Sequence, residues 1–213
     1  MALRPPPEAA DVDPLIVEVP SGTVLFRVHA PHRRATEFNA GKGDPSRFAP
    51  LRSGQPPVVV PTLYASSTIP GALSESVFHD VPYRGTAKRI FVSRLDAAVL
   101  SAVAVMKPLS VALIAGAGLR RIGVRRRDVI EGGPGTYKDT VRWAAALHDS
   151  PADPDGLAWM SRQDDTARAY VLFGDRLDDD DLMLLSPPIA LAVAPGLDLV
   201  EQAASDAGIT VIR

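Results

Sequence analysis

The sequence has no cysteine. That excludes disulfides, thiol nucleophiles and cysteine-based zinc sites, and it suits a reducing cytoplasm. Histidine is scarce, and the four present are scattered, which argues against a histidine-built metal centre. No run approaches the ~18 consecutive apolar residues that a membrane-spanning helix needs. The opening MALRPPPEAADVDP lacks the apolar centre of a secretory signal. Neither sign of charge dominates: 23 basic against 25 acidic residues leave a net charge of −2, so no bulk field favours nucleic acid or a membrane surface. There is no internal repeat. The hydrolase and nucleotide-loop patterns G-x-S-x-G, H-E-x-x-H and G-x-x-x-x-G-K-[ST] are also missing. The expectation is a cytoplasmic protein with no membrane anchorage, no direct nucleic-acid binding and no metal.

What is present suffices for one folded unit. Of 213 residues, 46% are hydrophobic, ample for a core. Residues 1–14 are proline-rich and polar and read as a flexible N-terminal arm. Residues 15–213 read as a single domain closed by a C-terminal helix and strand. Strand signatures fall at 15–19, 23–29, 58–65, 89–93, 110–114, 157–161, 169–173 and 209–212. Residues 157–161 and 169–173 form a hairpin around a polar loop. Helical patterns cover 70–79 and 137–148, and a short helix starts near Asp198, where Asp198 and Glu201 have capping-box spacing and Gly208 makes a stop. Residues 95–106 read as mixed helical and apolar. Many short strands with a few short helices in uneven order predict an α+β fold with a β-rich core.

Several residues stand out against that frame. In strand 23–29, alternation puts Leu25, Arg27 and His29 on one face. An arginine in an apolar strand needs an anionic partner or an exit to water. Residues 31–57 are broken by Gly41, Gly43, Pro45, Pro50, Gly54, Pro56 and Pro57. This loop carries Arg33, Arg34, Lys42, Arg47 and Arg52, and guanidinium forks match phosphate oxygens. Next, the strand through Tyr64 meets Ser66-Ser67-Thr68, which offers hydroxyl caps, and Pro70 suits a first helical turn. Glu75 then lies nearly opposite Leu73, on a face with Phe78 and His79. Periodicity alone leaves Glu75 either solvated or lining a cleft beside Tyr64. Ser161 sits at a strand-to-loop edge. The basic cluster Arg120 to Arg127 has no interleaved aromatics and reads as a solvated or partner-facing surface.

Taken together, Arg27, Arg47, Tyr64, Glu75 and Ser161 suit a dinucleotide. Arginines hold a pyrophosphate, an aromatic ring packs on a flat base, and a glutamate holds ribose hydroxyls. Cleavage of an N-glycosidic bond passes through an oxocarbenium-like state that a fixed carboxylate stabilises. Nicotinamide leaves NAD+ without protonation, because its ring nitrogen is already cationic.

The order F-R-V-H, S-R-F, L-Y-A-S with A-L-x-E-x-x-F-H, and a late S-R-x-x-x-x-x-A-Y-V-L-F resembles the RES domain family over roughly Thr23 to Gly174. The resemblance implies an ADP-ribosyltransferase-like fold around an NAD cleft with short flanking helices. It implies a toxin of a bacterial toxin–antitoxin pair that cleaves NAD+ as a substrate, by hydrolysis or phosphorolysis. Transfer of ADP-ribose to a protein acceptor is the alternative, and a catalytically inactive antitoxin-binding module is a second. The implied partner is an antitoxin with an Xre-like DNA-binding part; homo-oligomers stay open. Carried over, Glu75, Arg27 and Ser161 are catalytic, and Arg27, Arg47, Tyr64 and Ser161 bind NAD+. Departures mark a divergent subgroup: Ser46-Arg47-Phe48-Ala49 stands where the family has glycine-arginine-tryptophan-asparagine, Val28 where tyrosine is frequent, and Met160 where proline is.

Overall fold

A computed structural model of the chain describes residues 3–82, 85 and 88–213. The strands are β1 (Ile16–Val19), β2 (Val24–His29), β3 (Arg52–Ser53), β4 (Val58–Val59), β5 (Thr62–Ser66), β6 (Arg89–Phe91), β7 (Val99–Val105), β8 (Leu109–Leu113), β9 (Gly156–Met160), β10 (Arg168–Phe173), β11 (Leu182–Leu184), β12 (Ile189–Ala190) and β13 (Thr210–Ile212). The helices are α1 (Ile69–Ser74), α2 (Gly116–Arg121), α3 (Arg126–Val129), α4 (Tyr137–His148) and α5 (Gly196–Asp206). This is the α+β class that the pattern predicts.

Among the described residues the main sheet has nine strands in the order β1-β8-β9-β10-β5-β2-β7-β11, with β12 on β7. Its pairs are antiparallel except β8 with β9. Burial on β10 is nearly complete because both faces are covered. Ala169, Val171 and Phe173 pack with Trp159 of β9 and Trp143, Ala144 and Leu147 of α4. The alternate residues Tyr170 and Leu172 pack with Leu63 and Ala65 of β5 and Val103 of β7. A third cluster joins Leu73 of α1, Leu100 of β7 and Val200 and Ala203 of α5.

Several expectations need correction. The mixed stretch 95–106 is a strand, β7, buried along most of its length. A strand covered on both faces loses the alternation by which sequence reading separates it from a helix. The strand expected over 58–65 breaks at Pro61, which has no N–H for a ladder. The helix expected over 70–79 ends at Ser74. There the Ser76 hydroxyl donates back to the Ala72 carbonyl (2.5 Å), and the Phe78 N–H reaches the Leu73 carbonyl (2.9 Å). Both contacts satisfy carbonyls that further helix would have used. The capping box is not at Asp198, since α5 begins at Gly196 without a side-chain cap. It lies instead between Asp178 and Asp181.

The proline-rich start, read from sequence as a mobile arm, packs on the body from residue 3 onward; residues 1 and 2 lie outside the described residues. The Arg4 guanidinium donates to the Ile122 carbonyl (2.7 Å) and the Trp143 indole to the Arg4 carbonyl (2.8 Å). Val12 is buried in the first core cluster. The basic cluster is largely paired with acids: Arg121 with Asp13 (2.6 Å), Arg125 with Asp128 (2.7 Å) and Arg126 with Asp165 (2.6 Å).

Candidate active site

Among the described residues β2 and β5 share a single residue pair, Phe26 with Ser66. Further along β5, Thr62 is bridged by Asn39 of the long loop instead. The gap between the two strands is a cleft of about 850 Å³ whose walls include Arg27, Arg47, Tyr64, Glu75, His79 and Tyr137. That volume lies within the ~300–1,000 Å³ usual for small-molecule sites.

Arg27 sits on the buried face of β2 and is 8% exposed. Its Nη1 donates to the carbonyls of Ala35 (2.7 Å) and Glu37 (3.0 Å). Burial pulls its pKa down to about 10, with the Glu37 carboxylate opposing the shift, so Arg27 is a cation at neutral pH. Arg47 is more enclosed still, at 4%. Its Nη1 donates to Val129 (3.2 Å) and Gly132 (2.9 Å) carbonyls, its guanidinium lies over the Tyr137 ring (5.6 Å), and its own carbonyl accepts from the Thr140 hydroxyl. Burial lowers its pKa, while Tyr137 and Glu75 pull the other way. Arg27 Nε and Arg47 Nη2 have no hydrogen-bond partner among the described residues. Buried cations with spare donors are costly unless an anion approaches them.

Tyr64 ties the long loop to β5. Its hydroxyl lies 3.0 Å from the Ser46 hydroxyl and accepts the Phe48 N–H (3.1 Å). Those contacts bracket Arg47 in sequence, so Tyr64 fixes the segment that delivers the arginine. Burial pushes its phenol up to about 12, and the group stays neutral and able to donate. Its ring meets Trp159 edge-on at 6.1 Å. Glu75 stands at the C-terminal end of α1, held by the Thr68 cap at the other end (Gly71 N–H to Thr68 hydroxyl, 3.0 Å). Its Oε1 accepts the main-chain N–H of Arg162 (3.1 Å). This fixed N–H aims the carboxylate, and among the described residues no hydrogen bond engages its other oxygen.

The model of the RES domain family matches residues 24–191. The chain belongs to the RES domain family. No curated protein matches the sequence. Among solved structures, the fold is similar to a chain in the crystal structure of the M. tuberculosis MbcT-MbcA toxin-antitoxin complex. The TM-score is 0.60 and the identity 18%, over 88% of this chain and 92% of that one. At that identity the likeness is one of fold.

Within the RES span, Arg27, Arg47, Tyr64 and Glu75 meet in one cleft, and Ser161 does not. Ser161 is fully buried and absent from the cleft wall. Its hydroxyl accepts the Gln163 N–H (3.3 Å), and its main chain is tied to Ala167 (2.9 Å) and the Arg126 guanidinium (3.0 Å). The structure thus places Ser161 behind the cleft wall, in the turn whose next residue, Arg162, holds Glu75. Polar residues in a tight turn act through the backbone, which a sequence pattern does not distinguish from a side-chain contact. His79 and Tyr137 are cleft residues that the sequence argument left unused. His79 follows Glu75 by four positions, close enough in sequence to be a usable signal. Tyr137 comes from 62 positions downstream of Glu75 and had none. Among the described residues, no group of three His, Asp or Glu side chains is placed to hold a metal ion.

Proposed function

We propose that this RES protein is a toxin-type enzyme that cleaves NAD+ between nicotinamide and ribose. The observation that carries the reading is the Glu75 carboxylate, fixed by the Arg162 N–H in the same cleft as two buried cations with unused donors. In this reading the arginines take the pyrophosphate oxygens, which relieves the cost of their unpaired N–H groups. Tyr64 packs on the nicotinamide or its ribose. Glu75 holds the ribose and stabilises the positive charge that grows at the anomeric carbon as the bond to nicotinamide lengthens. Its contribution is larger in the transition state than in the ground state, because only there does the sugar carry that charge. The electron pair of the breaking bond neutralises the nicotinamide ring, so no acid is required.

The acceptor is water or phosphate in the first reading and a protein side chain in the alternative. The partner proposed is an antitoxin with an Xre-like DNA-binding part, covering the cleft of a cytoplasmic toxin. Likeness to a chain of a toxin-antitoxin complex supports that partner. Incubation of the purified chain with NAD+, with and without phosphate and cell lysate, separates these outcomes by mass spectrometry. Free ADP-ribose or its 1-phosphate is expected. An ADP-ribose adduct on one lysate protein, without free product, would establish transfer instead. No NAD+ consumption under any condition would leave the chain an inactive antitoxin-binding module.

A further inference from the structure

The corner of the cleft next to Glu75 contains chemistry that the proposed bond cleavage does not use. His79 lies four residues past Glu75, beyond the end of α1, and lines the same cleft. Its Nδ1 is 2.9 Å from a carboxylate oxygen of Asp80. A carboxylate only accepts, so Nδ1 is the donor in this pair, and in the neutral ring Nε2 is then the acceptor nitrogen. Nε2 faces the Tyr137 hydroxyl at 3.4 Å, a contact long for a hydrogen bond and so readily exchanged for a closer partner. Tyr137 is itself fixed beneath the Arg47 guanidinium. The turn that aims Glu75 also sets His79: the Arg162 N–H holds the Glu75 carboxylate, while the Arg162 guanidinium donates to the His79 carbonyl (2.7 Å). The Gln163 amide reaches the same carbonyl at 3.3 Å. Among the described residues the groups against the His79 ring are Asp80 and Tyr137, with Arg47 behind Tyr137, while Arg162 and Gln163 hold its carbonyl and Glu75 lines the same cleft.

Resting on the NAD+ reading above, we propose that His79 is the general base that deprotonates the acceptor. Glu75 stabilises the sugar, and a second group is needed to turn neutral water into a competent nucleophile. In this step the water O–H proton passes to His79 Nε2 and the oxygen bonds to ribose C1′. The C1′–N bond breaks with its electron pair going to nicotinamide, and the imidazolium, balanced by Asp80, later returns the proton to solvent. Asp80 is a positioning residue, which holds the tautomer and does not touch the substrate.

The test compares water with azide, an anionic nucleophile that needs no base. A positioned general base contributes ~10²–10⁴-fold, so His79→Gln should lower hydrolysis by at least about 100-fold while azide-dependent nicotinamide release falls far less. Asp80→Asn, at an exposed position, should reduce hydrolysis to an intermediate level with azidolysis again spared. Affinity for ADP-ribose, measured by calorimetry, reports whether each variant keeps its site. Equal loss of both reactions in His79→Gln with ADP-ribose still bound would overturn the proposal, as would wild-type hydrolysis in that variant. Absence of release by the wild-type protein with water, phosphate and azide alike is a different result: it removes the NAD+ reading itself and this role with it.

Discussion

At the scale of single residues, the cleft depends on polar groups that are buried but not fully satisfied. Tyr64 shows how much one hydroxyl organises, because it accepts the Phe48 N–H and contacts Ser46 on either side of Arg47. Tyr64→Phe leaves that N–H unpaired and is expected to cost about 1–3 kcal/mol of stability. Nicotinamide release should fall further than stability alone explains, since Arg47 loses its support. Urea unfolding and a rate assay on the same variant check both parts. Arg27 adds a pH dependence. Affinity for ADP-ribose should decline as pH rises through about 10, where Arg27 loses its charge, and binding calorimetry across that range checks it. The sign for stability is opposite. The unfolded chain holds the Arg27 proton more tightly than the folded one, so the burial penalty is present below about 10 and is relieved as pH climbs above that towards the ordinary arginine range. Arg27 and Glu75 stood out in the sequence because an arginine in an apolar strand and a carboxylate beside a capped helix break local pattern, and the structure lines both along one cleft with Arg47 and Tyr64. Ser161 stood out as a serine at a strand edge, and its hydroxyl accepts the Gln163 N–H behind the cleft wall.

At the scale of elements, the short helix α1 aims Glu75, and its placement rests on close packing. A Cβ at Gly71 would press against the Ser66 hydroxyl and the Ala167 methyl, so any larger residue must push α1 away from β5 and β10. Gly71→Ala is expected to destabilise by about 1–3 kcal/mol, as overpacking does. At ~2–4 °C per kcal/mol for a chain of this size, a thermal melt resolves that loss. Rates should fall with it, because Glu75 moves with the helix. The sequence located α1 but made it a turn too long, since it did not reveal that Ser76 and Phe78 fold back onto Ala72 and Leu73. It likewise turned β7 into a mixed segment. Seven residues buried on nearly every side carry no period, and the pairings with β2, β11 and β12 identify them as a strand. The hairpin of β9 and β10 and helix α4 were readable because loop chemistry and amphipathic spacing bound them clearly.

At the scale of the whole molecule, the sheet brings together parts distant in sequence: β2, the loop with Arg47, α1, and the turn after β9. A ligand that spans them should stabilise the fold as a unit. ADP-ribose at 100 times its Kd contributes about 2.7 kcal/mol, which corresponds to a rise in melting temperature of ~5–11 °C. Arg47→Gln should abolish most of that rise at the same concentration. A ligand-induced shift unchanged by the substitution would detach Arg47 from binding. The family and the fold class followed from the order of motifs, while the convergence of His79 and Tyr137 on Glu75 required the tertiary structure. The most direct measurement is nicotinamide release from NAD+ by the wild-type chain and by Glu75→Gln, which is nearly isosteric and removes only the charge. Release by the wild type, reduced about 100-fold or more in the variant while ADP-ribose still binds, is expected if Glu75 stabilises the developing cation. Equal release by both proteins would show that the carboxylate does no such work and that the cleavage centre lies elsewhere.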